Sequence, residues 1–182
     1  VGANPKGLSA GDCSGDGIPD LIVAAETSNN VDILRNMGDG RFEFGGGATN
    51  VSQPTGAVCS DFNGDGLIDI ATVSRLGNIS LYYRDANDAL TLAGTQPAGA
   101  LPTSLTAGDL NGDGWKDLVA VDGGSRDITI LLSTGTTTFP SFVRRIHTPI
   151  LYPRAAAIAD FDHDGHADIV VTGSTAPYVV IL

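Results

Sequence analysis

The nine residues Asp61-Phe62-Asn63-Gly64-Asp65-Gly66-Leu67-Ile68-Asp69 decide the fold, because the chain writes them four times. Gap-free counterparts run from Asp12 to Asp20, from Asp109 to Asp117 and from Asp160 to Asp168, with starts 49, 48 and 51 residues apart. A second marker keeps the same phase. Phe42, closing the stretch that begins at Asn36, lies 30 residues after Asp12; Phe139 lies 30 after Asp109, and Leu90 falls 29 after Asp61. Self-similarity at such a period marks a repeat architecture, in which each unit is one supersecondary element stacked on its neighbours.

Around each loop the apolar residues come in short runs of strand length, and no long stretch shows helical spacing. Each repeat reads as four strands. The first is small and mostly apolar (8–11, 57–60, 104–107, 155–159). The second is apolar on both faces, as in 118–121. The third covers 31–34, 79–83, 128–132 or 178–182, and the fourth is more polar, as in 142–146. Strands apolar on both faces must be covered on both sides. Small residues suit a crowded axis, and a polar last strand suits an outer rim. Blades packed radially satisfy all three conditions. The expected fold is all-β: a β-propeller of four-stranded antiparallel blades, with four blades present and one incomplete. The blades are placed at about 6–52, 53–101, 102–151 and 152–182, with 1–5 ending an outer strand. A linear solenoid of hairpins is the alternative; a sandwich or barrel would need no fixed loop in every repeat.

The loop reads D-x-[DNS]-x-D-G-x-x-D. Positions 1, 3 and 5 are Asp12, Ser14 and Asp16; Asp61, Asn63 and Asp65; Asp109, Asn111 and Asp113; and Asp160, Asp162 and Asp164. Their oxygens point inward when the backbone curls around an ion. Glycine at position 6 permits the sharp turn. Position 7 offers a backbone carbonyl, from Ile18, Leu67, Trp115 and His166, and Asp20, Asp69, Asp117 or Asp168 closes the cage at position 9. Oxygen-only ligation suits a hard cation, and the ligand number favours Ca²⁺ over Mg²⁺. About four ions are expected, one per loop. An EF-hand would carry Glu at position 12 between helices, where this chain has Val23, Thr72, Ala120 or Val171. Plain Asp-Gly turns would not recur with Asp at 1, 5 and 9. A catalytic carboxylate pair is disfavoured because the site occurs four times. The first loop, with Ser14, is expected to bind weakest. The fourth, with four carboxylates, is expected to bind tightest unless His163, standing where the others have glycine, strains the turn.

Charge agrees with this reading. The net charge is −11, and the four loops hold thirteen of the 21 acidic residues. Four Ca²⁺ would bring the net charge to about −3 and relieve like-charge repulsion at close range. An acidic surface argues against nucleic acid as a partner, and no apolar run is long enough for membrane insertion. Cys13 and Cys59 are too few for a disulfide-built scaffold. Two small buried thiols is the preferred reading, with one bridge between them the alternative. His147, His163 and His166 are too scattered for a His-rich site. Trp115 is expected to pack against the next blade rather than stack on a sugar. Asn50-Val51-Ser52 and Asn78-Ile79-Ser80 fit the glycosylation sequon.

The loop, its following apolar strand and the Asn-x-Gly-Asp-Gly-x-Phe stretch resemble the FG-GAP or VCBS repeat family and the calcium-binding blades of integrin α-subunit propellers. The resemblance covers nearly the whole chain. It implies a propeller, most often seven-bladed, with calcium between the first and second strands of a blade. It also implies secreted or cell-surface proteins that adhere, bind glycans or carry enzyme domains. The FG-GAP name motif is not cleanly present, so an integrin-type ligand site does not carry over. Seven blades would need about 340 residues, so a segment of a longer propeller is expected; a closed four-bladed ring and an assembly of several chains are the alternatives. The expected function is a non-enzymatic extracellular calcium-binding module for adhesion or ligand binding. The alternatives are a glycan-binding propeller and an accessory domain of a secreted polysaccharide-degrading enzyme. A protein or glycan is the expected partner, with further blades in the same chain or in neighbouring chains.

Overall fold

The computed structural model describes residues 1–136, 143–174 and 180–181. Phe139, Phe142, Tyr178, Val179 and Leu182, used above as repeat markers or strand residues, lie outside the described residues. Strands β1 (Pro5–Gly11), β2 (Asp20–Ala25), β3 (Asn30–Asn36) and β4 (Phe42–Thr49) form one sheet in that order. Strands β5 (Pro54–Ser60), β6 (Asp69–Ser74), β7 (Asn78–Arg84) and β8 (Leu90–Pro97) form the second. The third contains β9 (Pro102–Gly108), β10 (Asp117–Asp122), β11 (Asp127–Leu131) and β12 (Val143–His147), and the fourth β13 (Pro153–Ala159), β14 (Asp168–Gly173) and β15 (Val180–Ile181). Every pairing is antiparallel, so each sheet is a meander. No described segment is a helix long and apolar enough to cross a membrane.

Burial follows the gradient that the sequence carries. Every residue of β6 and β10 is buried, whereas most of β4 and β8 is not. The first strands lie side by side, β1 on β5, β5 on β9 and β9 on β13. There a Cβ on Gly7 would come within 2.5 Å of the Thr55 carbonyl oxygen, which is why the first strands need small residues. Three apolar cores fill the spaces between successive blades. Ile22, Val31 and Ile33 meet Ala57 and Ile70; Phe62, Ile79 and Leu81 meet Leu105 and Leu131; Val121 and Ile128 meet Ile169 and Val171. Each of the larger side chains contributes about 1.5–3 kcal/mol by leaving water. The architecture is that of β-propeller blades.

Cys13 and Cys59 are joined in a disulfide, which corrects the preference for two thiols. The residue at position 2 of each of the first three loops faces the first strand of the next blade. Phe62 there packs with Ala107, and Cys13 meets Cys59, both partners standing two residues before a loop. A second correction concerns the N-terminus. Residues 1–5 do not end an outer strand: the Asn4 carbonyl accepts the Glu26 N–H at 3.1 Å, and Pro5 opens β1 within the same sheet.

A third repeat signal runs through the chain. Pro5, Pro54, Pro102 and Pro153 open the four first strands at the loop spacing, 49, 48 and 51 residues apart. Proline, with no N–H to place in a ladder, is tolerated at a strand's first residue. The residue before it is left-handed in every blade: Asn4 (φ 56°), Gln53 (46°), Leu101 (50°) and Tyr152 (53°). Its carbonyl accepts a backbone N–H beyond the second strand, from Glu26, Arg75, Gly123 and Ser174 respectively. The residue after the proline, Lys6, Thr55, Thr103 or Arg154, is skipped by the ladder as a bulge.

Candidate metal centre

Each loop joins the first and second strands of its blade. Position 1 gathers backbone donors. Asp12 accepts from Gly15 (2.7 Å), Asp16 (3.2 Å) and Gly17 (2.8 Å); Asp61 and Asp109 each accept from the glycines at positions 4 and 6, and Asp160 from Asp164 and Gly165. Burial pulls the Asp12 carboxyl upward, but the N–H groups of Gly17, Gly15, Asp16 and Ser14 together hold it below the ordinary carboxylate range. The Gly114 N–H, foremost among several, does the same for Asp109. Position 5 folds back on position 7. Asp16, Asp65, Asp113 and Asp164 accept the N–H of Ile18, Leu67, Trp115 and His166, each at 2.8–2.9 Å. Position 6 is left-handed throughout, at φ 83°, 85°, 89° and 91° for Gly17, Gly66, Gly114 and Gly165, as the sharp turn requires.

Position 9 does more than the sequence reading assigned to it. Asp20, Asp69 and Asp117 begin the second strands and are fully buried. One carboxylate oxygen accepts the N–H of position 2 (Cys13, Phe62, Leu110), at 2.9–3.1 Å. The other accepts an N–H at the end of the third strand or just past it (Asn36, Arg84, Ser133), at 2.8–2.9 Å. Asp168 accepts from Phe161 in the same way. Position 9 thus ties the loop to the blade through its own hydrogen bonds. Burial pushes the Asp69 carboxyl up to about 6 against its two N–H donors, with repulsion from Asp65 and Asp61 adding to the rise, and burial likewise raises Asp117.

The fourth loop brings Asp160, Asp162 and Asp168 together, with one oxygen from each within 4.8 Å of the others. That spacing fits oxygens on a sphere of about 2.4 Å radius, the ligand distance of calcium. Asp164 is not in that group. In the second and third loops Asn63 and Asn111 take position 3, and each donates from Nδ2 to the position-5 carboxylate, at 3.1 and 2.9 Å. In the first loop the Ser14 hydroxyl is buried with no hydrogen-bond partner. An unpaired buried oxygen beside Asp12 and Asp16 is the donor that a cation would satisfy. All the side-chain donors are oxygens, a set that fits a hard cation.

His163 has φ 63° where its counterparts Gly15, Gly64 and Gly112 have 81°, 79° and 76°. Position 4 is therefore a left-handed site that costs a residue with a Cβ roughly 1–2 kcal/mol. Trp115 reaches the preceding blade rather than the next. Its ring lies where a Cβ on Gly64 or Gly135 would stand, at 2.9 and 2.0 Å. His147 pairs with Asp127 at 2.9 Å, away from the loops.

Comparison with known proteins agrees with the fold. The model of the FG-GAP-like repeat matches three times, over residues 12–60, 61–120 and 109–171. No curated protein matches the sequence. Among solved structures, BBS1N in complex with ARL6DN is similar at a TM-score of 0.62 and 15% identity, over 100% of this chain and 55% of that one. A functionally unknown protein from Desulfotomaculum acetoxidans is similar at 0.73 and 12%, again over 100% and 55%. The biofilm matrix protein Bap1 of V. cholerae is similar at 0.51 and 19%, over 97% of this chain and 26% of that one. The chain thus spans about half the length of the first two. At such identities the likeness is one of fold. The three family matches together run from Asp12 to Val171, and the chain belongs to the FG-GAP-like repeat family.

Proposed function

We propose that the chain is a non-enzymatic, extracellular calcium-binding β-propeller module for adhesion or ligand binding, in which about four Ca²⁺ ions, one per loop, rigidify the blades. The observation that carries this reading is the convergence of Asp160, Asp162 and Asp168, in a loop whose plan recurs three times. Position 9 is the link to mechanics. An ion drawn to its buried carboxylate would stiffen a residue that already ties loop, second strand and third strand together. The disulfide supports an oxidising, secreted or cell-surface setting.

Further blades are the partner that the end faces favour. Phe161 is 44% exposed, whereas Phe62, at the same register and followed by a blade, is 2% exposed. Leu8 is 66% exposed, whereas Leu105, at the same register and preceded by a blade, is 5% exposed. A seven-bladed ring, completed by the same chain or a neighbour, would bury both.

The test is calcium titration by calorimetry, with melting followed in calcium and after metal stripping. Ligands that bind only the native state raise its stability by about 2.7 kcal/mol per site at a hundredfold excess over Kd. Four occupied sites would add about 11 kcal/mol, a rise in Tm on the order of 20–40 °C. Asp160→Ala should remove the tightest heat and Asp12→Ala the weakest. No heat and no shift would refute the reading.

A further inference from the structure

At the end of the blades opposite the loops, a cavity of about 460 Å³ opens where the four first strands begin. Its lining includes the bulged residues Lys6, Thr55, Thr103 and Arg154. Bulges re-aim side chains, and here the two hydroxyls show where. Thr55 Oγ1 reaches the Pro102 carbonyl (3.0 Å) and Thr103 Oγ1 the Pro153 carbonyl (3.2 Å), each bridging to the next blade across the axis side. At the same register the outer two blades carry cations. Three of the chain's ten basic residues, Lys6, Arg75 and Arg154, thus line one cavity in a protein of net charge −11. Glu26 is the only acidic residue among its lining. It pairs with both Lys6 (3.8 Å) and Arg75 (3.3 Å), and Arg154 makes no ion pair among the described residues. The mouth is left with a local excess of two positive charges.

The left-handed residues beside it divide by chemistry. Asn4 and Gln53 hold that conformation in the first two blades, and asparagine tolerates it well. Leu101 and Tyr152 hold it in the last two, where a bulky residue pays about 1–2 kcal/mol. Both line the cavity, and both side chains are more than half exposed (52% and 56%), so burial does not offset the strain. Strain held without packing gain is found where a side chain serves a site. Gly123 and Gly124, which present no side chain, line the same cavity as Arg75 and Arg154.

We propose that this mouth binds a small organic carboxylate carrying a ring. The carboxylate lies over Gly123–Gly124 between Arg75 and Arg154, and the ring rests on Tyr152 and Leu101. Arginine suits planar anion recognition, and an exposed aromatic offers a face to a sugar or aryl ring. The proposal names the ligand class of the binding module inferred above. It is read out by ligand heat rather than by calcium, so the two can fail separately.

The test uses the calcium-loaded full chain and calorimetry with three probes: a uronic-acid disaccharide, its neutral methyl ester, and an N-acetylated aromatic amino acid. At least one acid should bind, more weakly as salt rises, and the ester should bind at least tenfold more weakly than the disaccharide acid. Which acid binds identifies the source of the carboxylate. Arg154→Gln and Arg75→Gln should each weaken binding about tenfold, with Arg154→Lys recovering part of it. Tyr152→Gly should weaken binding while leaving Tm unchanged or higher, because it relieves the left-handed strain. Arg41→Gln, on an exposed turn elsewhere, should change nothing. Binding by neither acid overturns the proposal, as does equal binding of ester and acid, or wild-type affinity in both arginine variants.

Discussion

Replacing Asp69 with alanine separates the two roles of position 9. This carboxylate is fully buried and accepts the N–H groups of Phe62 (3.0 Å) and Arg84 (2.9 Å). Removing it leaves both donors short of a partner. Each buried unsatisfied donor costs about 1–3 kcal/mol, so the gross loss is about 2–6 kcal/mol. Part is recovered, because the wild type keeps a carboxylate in a site that disfavours its charge, as the rise of its pKa to about 6 indicates. A net loss of about 2–4 kcal/mol is expected, a fall in Tm of about 4–16 °C for a chain of this size. Asp65→Ala is the matched control. Asp65 is exposed and caps the Leu67 N–H, so its loss should cost less than about 1 kcal/mol without metal. Urea melts of both variants, metal-stripped and in calcium, give the answer. If Asp69→Ala is as stable as Asp65→Ala without metal, the clamp is wrong. If Asp69→Ala keeps the full calcium-dependent rise in Tm, position 9 is not part of the metal site.

Other expectations follow from the same contacts. Phe62→Ala should cost about 3–5 kcal/mol by urea denaturation, and Phe161→Ala, at the same register on an uncovered face, less than about 1 kcal/mol; equal costs would mean that something covers the fourth blade. Reducing the Cys13–Cys59 bridge, which spans 46 residues, should lower stability by up to about 4 kcal/mol, and an unchanged melt in reductant would contradict its role as a staple between the first two blades. In metal-stripped protein, burial raises the carboxyls of Asp69, Asp117 and Asp122 above their unfolded values, so the native state holds protons that the unfolded chain releases. The contribution of Asp69 and Asp122 is full below about pH 4 and lost as pH rises through about 6, with Asp117 acting in the same direction, so the metal-free Tm should fall between pH 5 and 7. In calcium the trend should reverse, because the ion competes with those protons at Asp69 and Asp117; a flat metal-free profile would show that the three carboxyls are not desolvated as described.

Much of this protein was legible before any coordinates. The recurrence of Asp12, Asp61, Asp109 and Asp160 at one spacing set the repeat, and short apolar runs of strand length set the strands. The nine-residue motif set the loop and its left-handed glycine turn, because the residues that make the turn are contiguous in sequence. Contacts between repeats were not legible in the same way. The pairing of Cys13 with Cys59, the approach of Trp115 to Gly64 in the preceding blade, and the second task of Asp69 at the Arg84 N–H all join residues far apart in sequence. The prolines that open β1, β5, β9 and β13 were visible, but their meaning was not. Only the packed first strands show that the residue before each proline turns left-handed and the one after it bulges out of the ladder. Sequence alone determined what each blade is made of, since a blade's hairpins and loop are short-range. Tertiary structure decided what the blades present to one another and to solvent, since burial and inter-blade contact exist only once the blades stand side by side.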